Sequence, residues 1–139
     1  MKTSRRLAWL AIAFWCVALF LPAWEQNATQ PGWMGLTMAA CGSVFVPISI
    51  VLFWPPLFAN YAVWFAAFNL AGPDHALTPR QLVWFGVSIT ITLGLYGHTL
   101  LFGGWLWIVS LLIGLASQLE CLRDVALAER FDAETGFVR

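Results

Sequence analysis

Long uncharged stretches alternate with short polar breaks along this chain. Residues Leu7 to Trp24, Gln26 to Pro73 and Gln81 to Leu119 contain no Asp, Glu, Lys or Arg. A helix crossing the hydrocarbon layer needs roughly 20 mainly apolar residues, with a range of about 17–25. The first stretch therefore holds one such helix, and each of the others has room for two. The pattern predicts an all-α integral membrane protein, a compact bundle of five membrane-embedded helices at about 7–24, 35–53, 57–71, 80–96 and 105–121. Residues 1–117 form the bundle in this reading, and 118–139 a charged, amphipathic helical tail.

Punctuation along the chain sets these boundaries. Trp24 and Trp33 bracket a polar loop, as tryptophans at the two sides of a membrane interface do. Pro55 and Pro56 follow Trp54 directly. Proline has no backbone N–H and pushes the preceding residue out of the α region, so the pair is expected to end one helix and begin another. The piece from Leu57 to Gly72 is short for a crossing, and it either spans or enters and returns. Thr78 and Pro79 suit a capped helix start, and the glycines in YGHTLLFGG predict a turn before the last helix.

Composition reinforces the pattern. Of 139 residues, 60% are hydrophobic and 10% charged, against roughly 45–50% and about 25% in soluble domains. Net charge is zero, with no basic run of the kind that binds nucleic acid. Cys16, Cys41 and Cys121 are scattered and form no C-x-x-C pair, a pattern of packing residues rather than of a disulfide framework or a metal site. Asn27-Ala28-Thr29 matches a glycosylation sequon, a frequent chance match. MKTSRR precedes the first apolar run, and positive flanks favour the cytoplasm. The amino terminus is therefore expected inside. Four crossings would put every basic residue on that side. Five avoid hiding a re-entrant segment in hydrocarbon, and five is the expectation adopted.

No ionisable side chain lies at the centre of a predicted helix, which removes the usual groups for proton-coupled transport and acid–base catalysis. No enzymatic activity, metal or cofactor is expected. Polar residues within or beside the predicted helices include Asn60, Asn69, Thr90, Thr92 and His98. Buried amides most often bridge helices. An alternative is that Asn60, Asn69, Thr92 and His98 line a polar path through an oligomeric channel or carrier for a small solute, and another is a cofactor-binding subunit using His98. Small residues recur at every fourth position: Gly35, Ala39 and Ser43; Gly86, Thr90 and Gly94; Ser110 and Gly114. Such faces let helix backbones approach closely in lipid. They predict packing inside the bundle, or against a membrane-protein partner or a second copy.

Several anchors, Leu21-Pro22, Pro31-Gly32-Trp33, Leu57 to Asn60, Gly104-Trp105-Leu106-Trp107 and Ser110, form a pattern that resembles small polytopic proteins of the bacterial inner membrane. The resemblance implies that location and no particular activity. The expected function is that of a non-enzymatic membrane protein acting through helix–helix contact, as an accessory subunit or an immunity-type inhibitor of a membrane partner.

Overall fold

A computed structural model describes residues 2–26, 28–34, 37, 49–68 and 77–135. Helix α1 runs Lys2–Phe20 and leads into an antiparallel hairpin of β1, Pro22–Gln26, and β2, Ala28–Pro31. Helix α2 follows at Ser49–Phe68, α3 at Pro79–Tyr96 and α4 at Phe102–Thr135. Among the described residues, three helices are long and apolar enough to cross a membrane: α1, α3 extended through the turn to Thr99, and α4 as far as Phe131.

The expected break at Pro55-Pro56 does not occur. Both prolines lie inside the continuous 20-residue helix α2, so 49–53 and 57–68 belong to one rod rather than to two. The pair removes the backbone bonds to the carbonyls of Val51 and Leu52 by the i−4 rule, and an interior proline costs about 3 kcal/mol in water. Where such a segment lies in hydrocarbon, a chain that turned there would leave several more groups unpaired, each costing several kcal/mol. The stop expected from the proline pair does not hold here. Residues 38–48 of the expected 35–53 helix, and Asn69 to Gly72, lie outside the described residues.

Elsewhere the boundaries follow local chemistry. The Thr78 side chain accepts from the Gln81 N–H while the Gln81 side chain accepts from the Thr78 N–H, a reciprocal cap with Pro79 behind it. A 3-10 turn at Gly97–Thr99 ends α3, within the glycine-punctuated stretch. The segment expected as a loop between Trp24 and Trp33 instead pairs Glu25 with Thr29 and Gln26 with Ala28 as strands. Helix α4 passes residue 118 without interruption and carries the charged tail as its own continuation.

Contacts fix the directions of the helices. Near the start of α1, the Ser4 carbonyl accepts a hydrogen bond from Ser117 of α4; beyond its end, Leu21 and Pro22 lie against Gly103 at the start of α4. The two helices are antiparallel and pack along their length. Ser4, Ala8, Ala11 and Ala18 are the buried residues on the α1 side, a small-residue seam that allows close approach. Helix α2 meets Trp15 and Trp107 at Asn60, near the hairpin, and Phe85 at Phe65, nearer the start of α3. It therefore runs from the hairpin end towards the end that holds the two termini. The core between the helices contains Val63, Ile89, Ile108 and Leu111, and a second cluster of Leu77, Leu82 and Phe85 lies at the terminal end.

Candidate functional site

Buried polar groups come first, because in a bundle of this kind each is either paired or poised for a ligand. Asn60 is 2% exposed. Its Oδ1 accepts from the indole N–H of Trp15 on α1 at 2.6 Å and of Trp107 on α4 at 2.9 Å. Its Nδ2 donates to the Pro56 carbonyl one turn earlier at 2.8 Å. One amide thus links three helices, with both lone-pair directions of its oxygen occupied. Thr92 and Ser110, also fully buried, donate to backbone carbonyls of their own helices, Ser88 and Trp107. Gln118 accepts from the Leu77 N–H through Oε1 at 3.3 Å, while its buried Nε2 has no hydrogen-bond partner among the described residues.

Around this node the hairpin is clamped to the bundle. Leu101 N–H donates to the Ala23 carbonyl at 2.9 Å, and Gly32 N–H to the Leu21 carbonyl at 3.1 Å. A Cβ on Gly103 would meet the Pro22 carbonyl oxygen at 2.7 Å, and one on Gly104 the Ala23 carbonyl oxygen at 2.6 Å. A Cβ on Gly32 would strike the Ala18 carbonyl oxygen. These are glycines by necessity of approach. The anchors at Leu21-Pro22, Pro31-Gly32, Asn60 and Gly104 to Trp107 therefore converge at one end of the molecule. Sequence reading singled out Asn60 but assigned no bond to either indole, because Trp15 and Trp107 are 45 and 47 residues away.

The small-residue faces divide. Ser110 and Gly114 are buried inside the bundle. Gly86, Thr90 and Gly94 are not: Thr90 and Gly94 are exposed, and a Cβ built on Gly86 or Gly94 meets nothing within 4 Å. Val83 and Val87 flank this stripe and are 65% and 41% exposed. Thr90 already donates to the Gly86 carbonyl, so its hydroxyl is satisfied and the face is apolar in effect. Gly35, Ala39, Ser43 and Asn69 lie outside the described residues. His98 is exposed in the turn after α3, well separated in sequence from the Asn60 node.

On the other shoulder of α3, an open groove of about 320 Å³ runs between α2 and α3, lined by Phe58, Tyr61, Phe65, Gln81, Trp84 and Phe85. Phe58 and Tyr61 belong to an aromatic ladder along α2, from Trp54 to Trp64, with successive ring centroids 4.8, 5.8 and 5.3 Å apart. Among the described residues no cluster of three His, Cys, Asp or Glu side chains is arranged to hold a metal ion. No family model, curated protein or solved structure matches the chain. Any function must therefore be argued from these surfaces.

Proposed function

We propose that this protein is a non-enzymatic integral membrane protein of the bacterial inner membrane that acts by docking a membrane-protein partner through helix–helix contact. Accessory subunit or immunity-type inhibitor are the roles that fit. The open Gly86-Thr90-Gly94 face on α3 carries the reading. Lipid tails are as apolar as the helices, so helices associate in the bilayer where small residues let backbones come close. Ser110 and Gly114 supply that inside the bundle, and the α3 stripe supplies it on the outside, edged by Val83 and Val87.

The proposal includes an orientation. We take α1, α2, α3 and α4 as four crossings, with both termini in the cytoplasm. Exposed Arg5, Arg6, Arg80, Arg123 and Arg130 all belong to the terminal end of the bundle, while Glu25 is the only charged residue at the hairpin end among those described. An excess of Lys and Arg marks the cytoplasmic side, and this distribution supports an even number of crossings over the five expected from sequence.

The experiment is purification from native membranes in mild detergent. Wild type should retain a membrane partner at fixed stoichiometry. Gly86→Leu with Gly94→Leu should lose it while keeping the wild-type melting temperature, since a Cβ at either position meets nothing within 4 Å. A clean monomer from wild-type membranes, or undiminished capture by the double variant, contradicts the proposal.

A further inference from the structure

The groove between α2 and α3 lies apart from the partner face. At 3.6 residues per turn, Gln81 and Trp84 occupy one shoulder of α3, and Gly86, Thr90 and Gly94 the other. Its walls are aromatic apart from Gln81, and Phe58, Tyr61 and Trp84 are exposed along it. Its depth is graded. Phe65 and Phe85, with ring centroids 6.3 Å apart, lie nearest the start of α3. Phe58 lies two turns of α2 nearer the hairpin end, about 10 Å away at 1.5 Å per residue.

Gln81 is the polar residue in the groove lining, and Arg80 precedes it in the first turn of α3. Arg80 stands one turn before Trp84 on the same face of α3, exposed, and it forms no ion pair among the described residues. It occupies the first turn of an 18-residue helix, where the helix dipole also favours negative charge. Arg123 differs: it is at the same end of the molecule but faces Glu120 at 3.8 Å. An apolar groove with an exposed cation next in sequence to its polar lining residue, and with no ion pair on that cation among the described residues, matches one class of occupant, an amphiphile with a negative head. Basic pockets between helices on the cytoplasmic side are known to select anionic headgroups.

We infer that this groove binds an anionic phospholipid, with an acyl chain against Phe58, Tyr61 and Trp84 and the phosphate on Arg80. The test is native mass spectrometry of the full chain released from mixed micelles of phosphatidylglycerol and phosphatidylcholine in equal amounts. One basic residue near the surface contributes about 1 kcal/mol towards anionic lipid, which converts to about a fivefold preference. Wild type should carry phosphatidylglycerol over phosphatidylcholine by about that factor. Arg80→Gln should bring the two to parity, Arg80→Lys should keep the preference, and Arg123→Gln should leave it unchanged. Trp84→Ala should reduce retention of both lipids. Parity in wild type, a preference indifferent to Arg80→Gln, or equal competition by inorganic phosphate alone would overturn the site. So would recovery of a lipid-free dimer blocked by Trp84→Ala, which would assign the groove to a second copy.

Discussion

Asn60 joins three helices through a single side chain, and its replacement should therefore be unusually costly for a surface-poor bundle. An interhelical hydrogen bond in a membrane protein contributes about 0.6 kcal/mol on average. Asn60→Leu removes two and also leaves the indole N–H groups of Trp15 and Trp107 without an acceptor, at about 1–3 kcal/mol each where buried. A loss of about 2–4 kcal/mol in unfolding free energy is expected from denaturant titration in detergent. Trp107→Phe removes one donor and leaves Asn60 bonded to Trp15, so it should cost less, within about 2 kcal/mol including lost ring contacts. Equal losses for the two variants would show that the node does not act as described. At this scale the sequence was half legible. A lone amide in an apolar run stands out, but tryptophan is equally at home at an interface or in a core, and nothing local distinguishes the two uses.

Among the elements, the glycine pair in the first turn of α4 shows how close approach rather than flexibility can dictate a residue. Gly103→Ala places a methyl carbon 2.7 Å from the Pro22 carbonyl oxygen, backbone that cannot rotate away. It should destabilise the bundle by about 1–3 kcal/mol, the range for overpacking. Gly97→Ala, with nothing within 4 Å of the added carbon, should stay within about 0.5 kcal/mol. Paired thermal melts in the same detergent check both, and a mild Gly103→Ala would contradict the packed hairpin. The same element scale contains the main failure of sequence reading. Pro55 and Pro56 carry strong helix-stop signals, yet α2 runs through them. Those signals were calibrated where water can satisfy a broken backbone. In hydrocarbon the alternative conformations would be worse, and α2 continues through its prolines. The reciprocal Thr78–Gln81 cap, by contrast, was readable because capping depends on four neighbouring residues and not on the solvent beyond them. The α1 seam of Ser4, Ala8, Ala11 and Ala18 was present in the sequence at helical spacing and went unread beside the more conspicuous glycines.

For the molecule as a whole, the long helices, their apolar character and the membrane location were legible from charge-free stretches alone. Their number was not, because two prolines and a run of uncharged residues admit several divisions. Contacts give the helix directions that spacing does not: Ser4 meets Ser117, Pro22 meets Gly103, and Phe65 meets Phe85. Among the described residues, those directions bring the arginines to one end. Cysteine labelling tests this most directly. In a chain with its native cysteines replaced, Glu25→Cys and Glu129→Cys place single exposed thiols at the hairpin end and the tail end. With a membrane-impermeant maleimide on sealed, right-side-out vesicles, Glu25→Cys should label at once and Glu129→Cys only after permeabilisation. Immediate labelling of Glu129→Cys would put the tail outside and contradict the four-crossing bundle.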